Sequence, residues 1–150
     1  MLLKSRWFKL QRIQYGANLK ITDIDSVLVI DDSRLSRAAI DMLFQERLPQ
    51  CVVDEAANAE QALEKVAIKH YQVILVDINM PGMDGFALAP LLKQLSPSSY
   101  VIFLTANIQD ATRRKAIEMG VGFVSKPIKK QTIDDILTQI GALSVRTQRI

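Results

Sequence analysis

After its first 25 residues the chain alternates short apolar runs with longer amphipathic stretches. Residues 27–30, 73–76 and 101–104 are continuous apolar runs rich in β-branched side chains. Such runs are typical of strands that are covered on both faces, as in a parallel sheet. Residues 51–53 and 122–124 are weaker strand candidates. The pattern therefore predicts five strands.

Helix patterns fill the intervals between these strands. Ser33 and Asn58 are each placed to cap a helix, because their side chains can accept hydrogen bonds from the free N–H groups of a first turn. Three further helices are predicted over 86–95, 109–119 and 129–140. The positions expected to face the core are Leu35, Ala38, Ala39, Met42 and Leu43 in the first helix and Ala62, Leu63, Val66 and Ala67 in the second.

Two residues are expected to end or interrupt predicted helices. Gly120 predicts the end of the helix over 109–119. Pro90 falls inside 86–95, where it removes a backbone donor and crowds the carbonyl group of residue 86. We expect either a kink at Pro90 or a helix that begins late.

Five strands that alternate with five helices indicate right-handed β-α-β crossovers and a doubly wound α/β sheet. A binding site in such a sheet lies beyond the carboxyl ends of the strands, at the switch point of the topology.

Polar residues occur where the predicted strands end. They are Asp31 and Asp32 after 27–30, Asp77 after 73–76, Thr105 after 101–104, and Lys126 shortly after 122–124. In a parallel sheet these side chains gather at one edge. The sequence thus predicts a site with three carboxylates, one hydroxyl and one ammonium group.

Three adjacent carboxylates repel one another, so they either take up protons or bind a cation. A set of oxygen ligands without His or Cys selects a hard ion, with Mg²⁺ as the first candidate and Mn²⁺ as the alternative. A carboxylate can also act as a nucleophile and form an aspartyl phosphate. Lys126 is suited to pair with phosphoryl oxygens.

At these positions the sequence resembles the response-regulator receiver family of two-component signalling, over roughly residues 27–140. The resemblance rests on the Asp31-Asp32 pair, the run 77–85 (DINMPGMDG), Thr105-Ala106 and Lys126-Pro127. It implies a flavodoxin-like, five-stranded parallel sheet of order 2-1-3-4-5 with five helices.

The resemblance also implies a role for each site residue. Asp77 is the phosphoacceptor, which receives its group from a phosphohistidine on a sensor histidine kinase or a phosphotransfer protein. Asp32, Asp77 and the backbone carbonyl of Asn79 bind Mg²⁺ directly, and Asp31 acts largely through water. Thr105 and Lys126 contact the phosphoryl oxygens.

Three further residues have implied roles in access and switching. Small Ala106 leaves the site open, Phe123 is the switch aromatic, and a cis peptide bond precedes Pro127. The output is expected to be a phosphorylation-dependent protein-binding face formed by 109–119, 122–124 and 129–140. A dimer is left open, and no enzymatic activity is implied beyond the domain's own phosphorylation and dephosphorylation.

The charge distribution argues against a nucleic-acid partner. The net charge of +3 comes from the two ends, since residues 27–144 contain 12 basic and 14 acidic side chains. We therefore expect no direct contact with nucleic acid. The single cysteine, Cys51, excludes an internal disulfide and favours a cytoplasmic location.

The domain organisation predicted is a basic extension over 1–25, a receiver over 26–141 and a short tail over 142–150. Leu3, Trp7, Leu10 and Ile13 fall on one helical face of the extension. Arg6 and Phe8 interrupt the apolar face, which favours a frayed or packing extension. The alternative hypothesis is an extra helix for docking or self-association.

The first hypothesis is a single-domain regulator, and two alternatives to it remain. One is that the chain is the receiver of a larger hybrid kinase or transcription factor, and the other is a phosphatase. An aspartyl-phosphate phosphatase would have a similar site but needs a second acidic residue where Asn79 stands.

Overall fold

The computed structural model describes residues 24–107 and 109–148, with side chains described up to residue 141. The strands are β1 (Ser26–Ile30), β2 (Val52–Ala56), β3 (Val73–Asp77), β4 (Tyr100–Thr105) and β5 (Gly122–Ser125). The helices are α1 (Arg34–Arg47), α2 (Ala59–Ile68), α3 (Gly85–Leu95), α4 (Asp110–Met119) and α5 (Lys130–Gln148). The helical face predicted for the basic extension lies outside the described residues.

The five strands form one parallel sheet of order β2-β1-β3-β4-β5, which confirms the predicted fold and strand order. β1 lies beside β3, and Ile30 is paired with Val76. From β1 the chain continues to β2 on one side of the sheet, and from β3 it continues to β4 and β5 on the other side. The switch point of the topology is therefore between these two strands.

The prediction was least accurate for the edge strand β2. It starts one residue after the predicted start and extends to Ala56, through the polar residues Asp54 and Glu55. An edge strand of this kind is only partly covered, and the side chains from Val52 to Glu55 are exposed or half-buried. Its apolar signal is accordingly shorter than that of the central strands.

The predicted helix caps are present. Ser33 Oγ accepts a hydrogen bond from Ser36 N at 3.2 Å, and Asn58 Oδ1 accepts one from Gln61 N at 2.9 Å. Gly120 ends α4 in the left-handed conformation, with φ 67°, a conformation that glycine adopts without a steric penalty.

Most of the predicted core face of α1 is wrong, although Leu43 is partly buried against the core as predicted. Leu35 and Met42 are 81% and 73% exposed, whereas Ile40 and Phe44 are fully buried. Apolar residues surround most of this helix, so its pattern does not select one face. In α2, Ala62 and Val66 are buried and Leu63 is partly buried as predicted, but Ala67 is exposed.

Two helices have ends that differ from the prediction. α3 begins at Gly85 after the cap Asp84, and Pro90 lies inside it. The expected late start is therefore wrong, which leaves the kink as the remaining expectation. α5 runs to Gln148, so its predicted end at residue 140 is wrong, and the boundary placed before residue 142 falls inside the helix.

The core consists of two apolar layers on opposite faces of the sheet. Ile24, Val27, Val29 and the α1 residues Ile40 and Phe44 belong to one layer, together with buried residues of α5. The other layer contains the alternate strand positions packed with α2, α3 and α4. This alternation follows from the two-residue period of a strand. No helix within the described ranges is long and apolar enough to cross a membrane.

Candidate functional site

Asp31 follows β1 and is fully buried. Its carboxylate Oδ1 accepts a hydrogen bond from Ser33 N at 2.9 Å, and Oδ2 accepts one from Lys126 Nζ at 2.6 Å. Its backbone N–H donates to the carbonyl of Ala56 at 3.1 Å, which extends the pairing of β1 with β2. The next residue, Asp32, is exposed.

Asp77 is the last residue of β3 and is 5% exposed. Its Oδ1 accepts a hydrogen bond from Asn79 N at 3.3 Å, and its Oδ2 lies 3.4 Å from Lys126 Nζ. Burial and the charge of Asp31 raise the pKa of Asp77, and Lys126 opposes this shift. The folded chain thus holds Asp77 in a place that disfavours its charged form.

Lys126 links the two buried carboxylates. It follows β5, and its backbone N–H donates to the carbonyl of Thr105 at 2.8 Å. Burial alone would lower the pKa of Lys126, but its contacts with Asp31 and Asp77 outweigh burial and raise it. The ammonium group therefore remains charged and partly neutralises the carboxylates. The peptide bond between Lys126 and Pro127 is cis, the isomer that the resemblance implied.

The Thr105 hydroxyl is not directed at the carboxylates. It donates to the Asn107 carbonyl at 3.0 Å and accepts from the Asn107 N–H at 3.0 Å. Thr105 is 1% exposed, while Ala106 beside it is exposed. The structure therefore places Thr105 at the carboxyl end of β4, with its hydroxyl hydrogen-bonded within the β4–α4 loop.

Phe123 lies on β5, on the side of the sheet that α4 covers. It is half-buried and packs at the margin of the core layer that α4 contributes to. The guanidinium carbon of Arg113 lies 5.5 Å from the centre of its ring, a cation–π distance. Asn79 is exposed beside the carboxylate site.

The three carboxylates fit a divalent ion. One oxygen from each of Asp31, Asp32 and Asp77 lies within 4.8 Å of the other two. Oxygen donors of this kind suit Mg²⁺ or Mn²⁺. The raised pKa of Asp77 gives the site a physical reason to bind a cation, because Lys126 does not fully compensate the negative charge.

Arg37 is a supporting residue that the sequence reasoning missed. Its Nη1 donates to the backbone carbonyl of Asp31 at 2.8 Å, and its Nε lies 3.1 Å from Glu55 Oε1 on β2. Side chains in the first turns of a helix point toward its N-terminus. An arginine one turn after the Ser33 cap could therefore have been expected to reach back to the Asp31 loop.

The sheet order and the acidic pocket at the β1–β3 edge define an α/β domain of the receiver type. The chain matches the response regulator receiver domain family over residues 27–138. It therefore belongs to this family of two-component signalling domains.

Comparison with individual proteins agrees with this assignment. The chain is 36% identical over 119 residues to the sensor protein EvgS of Escherichia coli (strain K12). The match covers 79% of this chain and 10% of EvgS. The structure of the Vibrio cholerae chemotaxis protein CheY4 has a TM-score of 0.70 and 25% identity, and covers 78% of this chain and 98% of CheY4.

A Burkholderia pseudomallei response regulator structure, described as having a phosphorylated aspartic acid, a calcium ion and citrate, has a TM-score of 0.64 and 25% identity. The match covers 79% of this chain and 71% of that one. Among curated relatives, however, the chain spans only a tenth of EvgS and 44% of the sensory transduction protein LytR of Staphylococcus haemolyticus.

Proposed function

We propose that this receiver domain is switched by Mg²⁺-dependent phosphorylation of Asp77. The observation that carries the proposal is the buried Asp77 carboxylate, which lies 3.4 Å from Lys126 and within 4.8 Å of oxygens from Asp31 and Asp32. Nothing in a core requires this arrangement, since buried charges are costly unless they are compensated.

In the proposed reaction, an oxygen of the Asp77 carboxylate attacks the phosphorus of a phosphohistidine on a sensor kinase or phosphotransfer protein. The new oxygen–phosphorus bond forms as the nitrogen–phosphorus bond breaks, and the imidazole leaves. Lys126 pairs with the incoming phosphoryl oxygens. Asp32, Asp77 and the backbone carbonyl of Asn79, supported by Asp31, would hold a Mg²⁺ or Mn²⁺ ion, which supplies positive charge that neutralises the phosphoryl group.

The phosphoryl group adds a charge of about −1.5 to −2 beside Thr105. We infer that the Thr105 hydroxyl leaves the Asn107 backbone for a phosphoryl oxygen, next to the small Ala106. Phe123 then repacks toward the vacated space. The repacking of Phe123 changes the shape of the surface formed by α4, β5 and α5, and this surface binds a protein partner.

The net charge of residues 27–144 is slightly negative, which favours a protein over nucleic acid as the direct partner. A cytoplasmic location and a dimer remain predictions. A separate phosphatase activity is the less favoured candidate, because Asn79 supplies no acid/base carboxylate. Multiple turnover of a phosphomonoester would revive it.

The wider protein context remains a second proposal. The match to a small part of the hybrid signal transduction histidine kinase L of Dictyostelium discoideum supports a receiver within a hybrid kinase. A chemotaxis protein CheY of Halobacterium salinarum, 27% identical, is instead matched over 94% of its length, which supports a receiver that acts alone. The length of the complete gene product decides between them.

Incubation with a small phosphodonor and Mg²⁺, followed by intact-protein mass, tests the phosphorylation. We expect a gain of one phosphoryl group in the unaltered chain and in the control Asp135→Asn, which changes an exposed aspartate on α5. We expect no gain in Asp77→Asn or in the presence of a chelator. A full gain in Asp77→Asn would refute the assignment.

A further inference from the structure

One face of α1 carries apolar side chains that the described part of the chain does not cover. Leu35 and Met42 are 81% and 73% exposed, and the exposed residues Ala38 and Ala39 lie between them. Their spacing places all four on one side of the helix. We call these four residues the α1 stripe. Single exposed apolar residues are common, but a stripe two turns long favours a binding surface.

The 23 residues before Ile24 contain an apolar face of similar size. Leu3, Trp7, Leu10 and Ile13 recur at helical spacing. This face needs a partner if it is to leave water. The α1 stripe is apolar, lies on the same chain and has comparable length.

The chain leaves the described fold close to α1. Ile24 is buried in the same core layer as Ile40 and Phe44. The carbonyl of Asp25 accepts a hydrogen bond from Val52 N at 2.8 Å, a few residues after α1 ends at Arg47. The exit point is therefore on the α1 side of the sheet, near the C-terminal end of α1.

The linking residues are long enough for the segment to reach the stripe. From Arg47 back to Leu35 the helix covers about 18 Å. Residues 14–23 can extend over roughly 33 Å. A segment comprising 1–13 can therefore lie against the whole α1 stripe without strain in the connection.

The charges around the stripe are compatible with this segment. Asp32 precedes Leu35 by three residues and Glu46 follows Met42 by four, so carboxylates lie near both ends of the stripe. Arg34 and the Lys130 partner of Glu46 offset part of this charge. The segment carries four basic residues, which are Lys4, Arg6, Lys9 and Arg12.

We propose that residues 1–13 dock on the α1 stripe of the same chain. The docked segment covers the exposed apolar side of α1, a helix that begins at Arg34 after the Ser33 cap. The interaction is intramolecular and does not require phosphorylation.

Trp7 is the single tryptophan of the sequence, so its fluorescence reports on docking. We expect acrylamide to quench Trp7 less in the full chain than in a peptide of residues 1–23. The double substitution Leu35→Gln and Met42→Gln should abolish this protection, and glutamine adds no charge that would attract the basic segment. The control Ile68→Gln changes an 88% exposed residue at the end of α2, and should keep the protection.

An alkylation experiment provides a second readout that does not depend on fluorescence. A cysteine at position 42, introduced as Met42→Cys, should react with a maleimide faster when residues 1–13 are deleted. The reactivity of Ile68→Cys should not change on deletion. The native Cys51 interferes little, because it is 3% exposed and burial raises the pKa of its thiol to about 11.

The possible results separate this proposal from its alternatives. Protection of Trp7 that survives the double substitution, or that is lost in Ile68→Gln, places the segment elsewhere and overturns the proposal. Protection that grows with protein concentration indicates a second copy as the partner and also overturns it. The proposal is also overturned if acrylamide quenches the full chain and the peptide equally. It is overturned as well if deletion of residues 1–13 leaves the alkylation rate at position 42 unchanged.

Discussion

The Asp77 carboxyl group lies in a place where its charged form costs stability. Burial and the neighbouring Asp31 raise its pKa above the ordinary value, so the charged form is more stable in the unfolded chain than in the fold. Lys126 reduces this disadvantage without removing it. A group in this position stabilises the protein when it is neutralised, whether by a proton or by a bound cation.

Asp77→Asn is therefore expected to stabilise the protein at neutral pH. Because the folded pKa lies above the unfolded one, the carboxyl group costs stability as the pH rises above about 3.9, the ordinary value for aspartate. The substitution removes this cost and should raise the free energy of unfolding by on the order of 1 kcal/mol at pH 7. Urea unfolding in the presence of a chelator measures the difference, which should shrink as the pH falls toward about 4.

The control for this prediction is Asp135→Asn, which should change the stability little at either pH. Addition of Mg²⁺ should stabilise the unaltered chain more than Asp77→Asn, because a ligand that binds the folded state adds to its stability. A loss of stability in Asp77→Asn at pH 7 would mean that the attraction between Lys126 and the Asp77 carboxylate outweighs the cost of burial and the repulsion from Asp31.

At the scale of an element, Gly85 controls how closely α3 approaches the site. A β-carbon at this position would lie 2.7 Å from the Asp77 carbonyl oxygen and 2.8 Å from the α-carbon of Ile78. Both contacts are with backbone atoms, so a side chain there must displace the end of β3. The backbone N–H of Gly85 also donates to the Ile78 carbonyl at 2.9 Å.

Gly85→Ala should lower both the free energy of unfolding, by about 1–3 kcal/mol, and the affinity for Mg²⁺, since Asp77 moves with its backbone. The matched control is Gly141→Ala in α5, where an added β-carbon meets no atom within 4 Å. The control should stabilise the helix by up to about 1 kcal/mol. Thermal unfolding and metal titration of both variants test the pair, and equal effects would contradict the role of the close approach.

Pro90 lies in the same helix, and replacing it should change the stability in the opposite direction to Gly85→Ala. It is exposed and lies inside α3, where it cannot donate to the carbonyl of Phe86. Pro90→Ala should raise the free energy of unfolding by roughly 1–3 kcal/mol, because the cost of an interior proline exceeds the entropy gained by the unfolded chain. Pro97→Ala, in the loop after α3, lacks this gain and should destabilise slightly. A denaturant titration that shows no increase for Pro90→Ala would indicate that the helix adapts to the proline without loss.

The elements also show what could and could not be predicted from the sequence. The strand ends fixed the positions of Asp31, Asp77 and Lys126 at one edge, because a parallel sheet leaves little choice. The core face of α1 was not predictable in this way. Leu35 and Met42 satisfy the helical period as well as Ile40 and Phe44 do, and packing against the sheet decides between them.

The side-chain contacts of the site were harder to predict than its composition. Arg37 reaches the Asp31 carbonyl from a helix whose buried face was misassigned. The Thr105 hydroxyl pairs with Asn107 rather than with the carboxylates. Such hydrogen bonds depend on rotamers and loop geometry, which residue spacing does not determine.

At the scale of the whole molecule, the site and the α4–β5 surface are connected by a short series of contacts. Lys126 and Thr105 lie at the ends of neighbouring strands and share a backbone hydrogen bond of 2.8 Å. Phe123 lies two residues before the end of β5 and contacts Arg113 on α4. A phosphoryl group that draws the Thr105 hydroxyl away from Asn107 would therefore act first on the β4–α4 loop.

Phosphorylation is expected to alter amide hydrogen exchange in α4 and β5 while leaving α2 nearly unchanged. Thr105→Val keeps the shape of the side chain but removes the hydroxyl, so this variant should still gain a phosphoryl group on Asp77 while most of the change in exchange is lost. Exchange measured by mass spectrometry, with and without phosphodonor, compares the two proteins. An equal response in Thr105→Val would show that the signal passes through Lys126 and β5 instead, because that route requires no hydroxyl at position 105.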